Sequence, residues 1–307
     1  MSWRPIRWKH PLRHCLAILL WIPIGVCAQS LALSFDDGFD PRVNPQAAIW
    51  NTAILTALSN AGIKSILFAA GKTVDSPEGL ALAGTWGRSG HGIANHTYVH
   101  MNLGSGKTTL EAFIADVERN EALVRELPGW TRRFRFPYLK EGENAAKRDG
   151  FRRWLAAHAY MSGAVSIDAS DWYYNNRYLR WKSMHPGEDP SRFRAAYLDH
   201  LWNRATYYDG LSEKIFQRSI SHVLLLHTNA INAAFLPDVI AMFRAKGWNF
   251  TTPDDAYRDP VYAANPDVLP AGESLLWSLA KQSDFSGLRY PAEDDIYEKP
   301  LLDDLQL

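Results

Sequence analysis

The chain alternates short apolar segments with longer amphipathic ones, and this alternation limits its fold more than any other feature. Seven apolar segments have the length of buried strands: residues 31–35, 65–68, 92–95, 133–136, 164–167, 223–226 and 249–251. Such segments separated by helical patterns predict parallel strands. Parallel strands joined by helices form a barrel or a doubly wound sheet, and both place the ligand site beyond the carboxyl ends of the strands. We therefore expect an α/β fold with a site at that edge.

Three of the intervening segments carry clear helix signals. Residues 47–60 form a helical pattern that Gly62 ends, and Thr108 and Glu111 have the spacing of a capping box ahead of an apolar stripe. A third helix is predicted for residues 237–246, from a proline start to a glycine stop. The helices therefore alternate with the strands, as a barrel requires.

The first 28 residues predict an export signal. A basic stretch precedes an apolar core at residues 15–26 that is too short to span a bilayer, and Val26-Cys27-Ala28 is typical of a signal peptidase site. We expect a mature chain from about Gln29, in the periplasm or outside the cell and without a stable membrane anchor. A retained anchor is the alternative.

The remaining chain divides into a main domain at 29–259 and an extension at 260–307. The extension loses the strand and helix pattern and ends in an acidic tail, which we expect to be frayed. The signal holds four of the 33 basic residues and none of the 33 acidic ones, so the mature chain has a net charge of about −4. That balance does not indicate a nucleic-acid partner. Residues 172–210 are unusually rich in aromatic side chains, and we expect them to wall a groove.

Five short polar clusters stand where apolar runs end, and together they supply what a metal-assisted hydrolase needs. They are residues 34–38, 96–100, 135–138, 168–172 and 225–227. Asp36 and Asp37 precede a turn glycine, so one carboxylate can bind a metal while the other stays free as a base. His96 and His100 share a face if their segment is helical, and two imidazoles with one carboxylate leave a zinc position open for water. The alternatives are a surface turn and a chance pair on a solvated helix.

The other two charged groups fit proton transfer. Arg135 follows an apolar strand and needs an acid partner if buried, and Asp36 is the candidate. His227 ends an all-apolar run and suits protonation of a leaving group, with Asp171 fixing its tautomer and raising its pKa. The alternatives are a rim ion pair and a core histidine. Five further histidines have no partner pattern and are predicted to be structural or surface residues: His91, His158, His185, His200 and His222.

In content and order the five clusters resemble the motifs of the polysaccharide deacetylases with NodB homology, carbohydrate esterase family 4. The motifs read SFDDG, HTYVH, RFPY, DASDW and LLH, and the resemblance spans about residues 31–257. It implies a distorted (β/α)7 barrel with the active site at the carboxyl ends of the strands, and a NodB-like domain at 29–259.

The resemblance also implies a role for each motif residue. Asp37, His96 and His100 would bind a divalent metal, usually Zn²⁺, with Co²⁺ or Ni²⁺ as alternatives. The catalytic residues would be Asp36 as general base, Arg135 holding that base, and Asp171 orienting His227 as general acid. The backbone N–H of Tyr138 would stabilise the oxyanion, Trp172 and Leu225 would line the acetyl pocket, and Thr97 would support the metal loop.

These roles predict a metal-dependent hydrolase that removes acetyl groups from an N-acetylated polysaccharide such as peptidoglycan, a chitin-like polymer or an exopolysaccharide. The full set of Asp171 and His227 favours amide over ester cleavage, because an amine leaving group needs an acid. An O-acetyl esterase acting on xylan or a similar polymer is the first alternative. An inactive glycan-binding scaffold is the second.

Overall fold

A curled parallel sheet forms the centre of the fold in a computed structural model that describes residue 1 and residues 29–289 and 294–307. The strands of the described chain are β1 Ser30–Asp37, β2 Ile66–Ala69, β3 Gly92–Asn95, β4 Trp130–Phe134, β5 Lys140–Gly142, β6 Met161–Ser162, β7 Ser221–His227, β8 Asn249–Phe250 and β9 Ala271–Gly272. Seven of them form the main sheet in the order β6-β4-β3-β2-β1-β7, with β8 beside the start of β1. All pairings in this sheet are parallel, as the alternating pattern predicts.

One segment joins the two edges of this sheet. Gly163 N–H donates to Phe134 O of β4 at 2.7 Å, and Leu225 N–H of β7 donates to Ile167 O at 3.0 Å. The sheet therefore curls into a distorted (β/α)7 barrel with residues 161–167 as its seam. The strand predicted at 164–167 is wrong in its bounds, because the segment crosses from one neighbour to the other and pairs with each over only a few residues.

The carboxyl ends of the strands meet at one edge, as expected. Asp36 pairs with His227 across β1 and β7, and Asp37 pairs with Ala69 across β1 and β2. The fourth strand ends at Phe134, two residues earlier than predicted, and Pro137 begins a short 3₁₀ turn at Pro137–Leu139. Because of that early end, Arg135 lies just past the strand and not within it.

Helices surround the sheet. They are α1 Ala47–Ala61, α2 Gly71–Val74, α3 Pro77–Arg88, α4 Leu110–Val124, α5 Ala145–Ala157, α6 Asp171–Met184, α7 Ser191–Phe216, α8 Ala230–Ala245, α9 Pro253–Ala256, α10 Leu275–Gln282 and α11 Lys299–Asp304. Short helical turns also occur at Pro260–Ala263 and Asp294–Glu298. No helix in the described ranges is long and apolar enough to cross a membrane.

The helix ends agree with the sequence in one case and differ in two. Gly62 ends α1 in a left-handed conformation, as predicted. Thr109, and not Thr108, caps α4 by accepting from Ala112 N–H. The third helix, α8, begins seven residues before Pro237 because Asn229 caps it at Ala230. The proline therefore lies inside the helix, where it removes one backbone donor.

The aromatic stretch at 172–210 forms α6 and α7, and most of its rings belong to the core and not to a groove. The buried rings are Tyr174, Tyr178, Trp181, Phe193, Tyr197 and Tyr208. They lie inside because α6 and α7 both pack on α8. Trp172, at the start of α6, stays 39% exposed.

The extension is packed onto the barrel. β9 pairs antiparallel with β5, and α10 packs against α7. The expectation of a frayed tail is wrong for the described terminal residues. Leu302 and Leu307 are buried, and Arg177 of α6 donates to Leu307 O and pairs with Asp303. The predicted boundary at 259/260 stays a prediction, and the predicted signal lies at residues 2–28, outside the described residues.

Candidate active site

The end of β1 turns sharply and separates its two carboxylates. Asp37 and Gly38 have φ values of 80° and 100°, and a Cβ at position 38 would lie 2.5 Å from a methyl carbon of Val74, so only glycine fits there. Asp36 is 2% exposed, whereas Asp37 is partly exposed. Thr228, next to His227, fixes this turn by accepting from Gly38 N–H at 2.9 Å. The two acids therefore occupy different environments.

The two histidines of HTYVH meet in a loop, and not on the helix that would also have placed them on one face. The segment is a loop after β3, with left-handed Thr97 and His100, and the imidazole rings lie 4.9 Å apart. The N–H groups of residues 97–99 donate to Asn95 and Asp116 and not to a helical ladder. Asn95 Oδ1 accepts from Thr97 N–H, and the Asp116 carboxylate accepts from the next two N–H groups. Thr97 Oγ1 accepts from Met101 N–H at 3.2 Å, which fits its expected support of the loop.

Asp37, His96 and His100 form a group whose donor atoms lie within 4.8 Å of one another. Asp37 Oδ1 and His100 Nε2 are 3.6 Å apart. Asp37 Oδ1 and His100 Nδ1 are buried and have no hydrogen-bond partner among the described residues. Such orphaned atoms are costly unless something binds them, and two imidazoles with one carboxylate suit a divalent ion such as zinc. The residues therefore fit a metal.

The protonation of the triad agrees with this fit. Burial lowers the pKa of His96 to about 4 and that of His100 to about 3, so both rings are neutral at pH 7. His96 Nδ1 lies 2.9 Å from Arg135 O, and a carbonyl can only accept, so Nδ1 carries the hydrogen and Nε2 keeps its lone pair. Burial raises the pKa of Asp37, but the neighbouring His227 and His100 outweigh it and hold that pKa below its usual value.

Asp36 lies beside the triad and is held by Arg135. Arg135 Nη1 is 2.6 Å from Asp36 Oδ1, and the other carboxylate oxygen is 3.4 Å from His96 Nε2. The guanidinium also donates to Gly163 O, Ser34 Oγ and Tyr257 OH at 2.8, 2.9 and 3.3 Å. Burial raises the pKa of Asp36, and the charge of Arg135 only partly opposes it. A carboxylate so placed can accept a proton next to the metal position.

Asp171 and His227 form a second buried pair. His227 Nδ1 lies 2.6 Å from Asp171 Oδ1, and Asp171 Oδ2 accepts the backbone N–H of His227 at 2.8 Å. Burial lowers the pKa of His227, but Asp171 more than compensates and raises it to about 10. The pKa of Asp171 is lowered because His227 outweighs the effect of burial. The imidazole is therefore a proton donor at neutral pH.

The three predicted substrate residues lie near these pairs in different settings. Tyr138 is left-handed, 56% exposed, and its ring lies edge-on to His100 at 4.5 Å. Trp172 directly follows Asp171, whereas Leu225 is 6% exposed within β7. Their roles toward an acetyl group stay predictions.

Several residues that complete the site carry no role in the sequence-based assignment. Ser34 precedes Asp36 by two and shares its strand face, so the period of a strand could have indicated its bond to Arg135. Tyr257 comes from a distant segment, and Asn229 and Asn232 follow His227 by two and five residues without a pattern that links them to Asp171. Asp168 is buried, and its Oδ1 accepts from Ser170 N–H at 3.3 Å.

The five histidines without an assigned role lie outside the metal triad. His91 Nδ1 accepts from Ser65 N–H, and His200 contacts Ala169 O. His158 is exposed and His185 is partly exposed. His222 lies between Asp209 and Ser166 at 3.1 Å from each, and both His222 and Ser166 are fully buried. This trio therefore has no access to a substrate.

Comparison with known proteins agrees with the fold and with the family that the motifs resemble. Residues 25–154 match the polysaccharide deacetylase family. A peptidoglycan-N-acetylglucosamine deacetylase of Bacillus cereus is 27% identical over 173 residues, which are 56% of this chain and 54% of that protein. The chain thus spans about half the length of this curated relative.

Solved structures show the same fold at low sequence identity. PdaA of Bacillus subtilis, a family 4 carbohydrate esterase, superposes with a TM-score of 0.51 and 19% identity over 75% of this chain and 81% of that one. A family 4 pseudoenzyme of Bacillus anthracis has a TM-score of 0.51 and 13% identity over 75% and 66%. The fold is therefore that of the family 4 carbohydrate esterases. The match over residues 25–154 confirms the resemblance to the polysaccharide deacetylases with NodB homology.

Proposed function

We propose that the chain is a divalent-metal-dependent deacetylase, with zinc as the preferred ion, that acts on N-acetylated polysaccharide. The observation that carries this proposal is the juxtaposition of three elements: the triad Asp37, His96 and His100, the base pair of Asp36 with Arg135, and the acid pair of Asp171 with His227. The peptidoglycan activity in the name of the Bacillus cereus relative supports a GlcNAc-containing glycan, in the periplasm or outside the cell.

In this proposal Asp36 and His227 each carry out one proton transfer. Asp37, His96 and His100 would hold a divalent ion, which would supply Lewis-acid activation of the attacking water and of the acetyl carbonyl. Asp36, fixed by Arg135, takes a proton from the attacking water. His227 gives its proton to the departing nitrogen as the C–N bond breaks, and acetate and a free amine result. Tyr138, Trp172 and Leu225 bound the acetyl group in this proposal.

The geometry favours an amide over an ester. An alkoxide leaving group needs less help from an acid than an amine does, and the site contains a histidine whose pKa is raised to about 10. An O-acetyl esterase acting on xylan or a similar polymer is the second candidate, since the same base and metal ligands would serve it.

A glycan-binding scaffold without activity is a third candidate, because pseudoenzymes occur among the solved structures of this fold. The presence of every group that the proposed reaction needs argues against it. Binding of chitooligosaccharides with no acetate release in the presence of zinc would support the scaffold.

Acetate release from N-acetylglucosamine oligomers, peptidoglycan and acetylated xylan tests the proposal. We expect release from the N-acetyl substrates with zinc, loss after EDTA, and recovery when zinc is returned. Activity that survives EDTA with no metal bound would overturn the metal dependence. Faster release from xylan than from any N-acetyl polymer would favour the esterase.

A further inference from the structure

The amide of Asn232 bonds to both members of the acid pair. Its Nδ2 donates to Asp171 Oδ2 at 2.7 Å and to His227 O at 2.8 Å, and its Oδ1 accepts from Tyr197 OH at 2.7 Å. The side chain is fully buried near the start of α8. Both Nδ2 partners can only accept, so a flipped amide would face two oxygens, and this orientation is the one the network permits.

The two carboxylate oxygens of Asp171 have different hydrogen-bond partners. Oδ1 faces His227 Nδ1, whereas Oδ2 accepts from His227 N–H, Asn229 Nδ2 and Asn232 Nδ2. Three donors on one oxygen hold the carboxylate plane, so it cannot turn its other oxygen away from the ring. His227 therefore keeps its hydrogen on Nδ1, and its Nε2 is left for the transferable proton.

Asn229 also donates to Asp171, but its side chain has a separate structural task. Its Oδ1 accepts from Asn232 N–H and thereby caps α8, so replacing Asn229 would disturb the helix as well as the acid pair. The Asn232 side chain has no part in that cap. Its hydrogen bonds go to Asp171, to His227 and to Tyr197.

We propose that Asn232 is a positioning residue for proton donation by His227, acting through Asp171 and through the His227 carbonyl. The inference rests on the proposed deacetylase function, in which His227 protonates the leaving nitrogen. It predicts that loss of the Asn232 amide lowers turnover most for substrates whose leaving group must be protonated. A residue that only stabilised the fold would lower turnover of all substrates alike.

The experiment compares an N-acetylglucosamine oligomer with 4-nitrophenyl acetate, whose leaving group departs without protonation. With the zinc-loaded full chain, Asn232→Ala should reduce kcat on the amide by about 10- to 100-fold and leave KM nearly unchanged. The same variant should retain ester turnover within about threefold of the unmodified chain. His227→Ala should shift the amide-to-ester ratio in the same direction and further.

Asn51→Ala is the matched control. Asn51 is also a buried asparagine bonded through both ends of its amide, to Thr85 and Trp86, but it lies on α1 away from the acid pair. It should leave the amide-to-ester ratio unchanged. If Asn232→Ala does not fold, Asn232→Ser replaces it, because its hydroxyl is too short to reach both acceptors and should shift the ratio likewise.

The outcomes separate the two proposals. An unmodified chain that cleaves neither substrate would overturn the proposed function. An active chain whose Asn232 variants lose amide and ester turnover by equal factors, or lose neither, would overturn the positioning role alone.

Discussion

Arg135 and Asp36 form an ion pair of 2.6 Å between side chains that are only 1% and 3% exposed. A pair this deeply buried depends on both partners, because removal of one leaves an uncompensated charge away from water. The pair therefore links the stability of the barrel to the position of the proposed base.

Replacement of Arg135 by methionine should destabilise the fold by about 3–5 kcal/mol, because Asp36 would lose its counter-charge. Urea unfolding of the two chains measures the difference. Arg132→Ala is the control, since Arg132 is half-exposed and its bond to Glu121 should contribute less than about 1 kcal/mol. Equal losses from the two variants would contradict the special status of the buried pair.

Removal of one metal ligand should weaken zinc binding more than removal of the base. His100→Ala and Asp37→Ala each delete a donor atom of the triad, whereas Asp36→Asn keeps all three donors and removes the proton acceptor. Calorimetric titration with zinc should show the loss of affinity for the first two variants. The third should bind zinc and lack turnover. Undiminished zinc affinity in His100→Ala would rule out the triad as the site.

The stability of the metal-free chain should be greatest near pH 6.5. Folding lowers the pKa values of four histidines to between about 3 and about 4: His91, His96, His100 and His200. Below pH 6.5 these rings take up protons more readily in the unfolded chain, so the free energy of unfolding decreases as the pH falls from 6.5 toward 4. Folding raises the pKa of His227 to about 10, so its contribution is complete below pH 6.5 and is lost as the pH rises to 10.

Urea unfolding in EDTA across pH 4–10 measures this profile. The variant His227→Gln should lose most of the decline between pH 6.5 and 10 and keep the rise on the acid side. A decline of the same size in that variant would show that another group controls the alkaline limb.

Gly272→Ala should disturb the rim of the site from outside the segment that matches the family. Gly272 has a φ of 125°, and a Cβ there would lie 2.1 Å from Leu139 O and 3.0 Å from Lys140 Cα. The neighbouring Glu273 N–H donates to Leu139 O at 2.7 Å, and its side chain pairs with Lys140, so β9 fixes the backbone that follows Tyr138. We expect loss of acetate release together with a lower melting temperature.

Gly187→Ala is the control for that variant. Gly187 also has a positive φ, of 86°, but an added Cβ would meet no atom within 4 Å. It should cost only the conformational strain of about 1–2 kcal/mol and leave acetate release intact. If Gly272→Ala behaves in the same way, β9 has no influence on the site.

The sequence predicted the parts of the site that local patterns determine. Asp36, Arg135 and His227 all follow apolar runs, and the carboxyl-end rule for parallel strands brings them together. The helix considered for His96 and His100 does not form, because Asp116 and Asn95 accept from the N–H groups of the loop, and no local pattern indicates those roles. Local sequence patterns do not predict contacts between distant segments.

The same reason explains the errors in the fold. The start of α8 depends on Asn229 as a cap, and a proline is a stronger local signal than an asparagine. The pairing of β5 with β9 joins residues about 130 positions apart, and no periodicity predicts it. The burial of Tyr174 and Tyr197 follows from the packing of two helices, whereas composition alone shows only that the rings are present.

The pairing of Asp36 with His227 across β1 and β7 has an evolutionary consequence. Their backbones are held at a spacing fixed by the ladder of the sheet, so substitutions in the surrounding loops can leave that spacing unchanged. Descendants of such a chain can exchange the rim of the site, including the part built by β9, and inherit the two proposed proton-transfer positions intact. Substrate preference can then diverge while the spacing of the reacting groups stays constant.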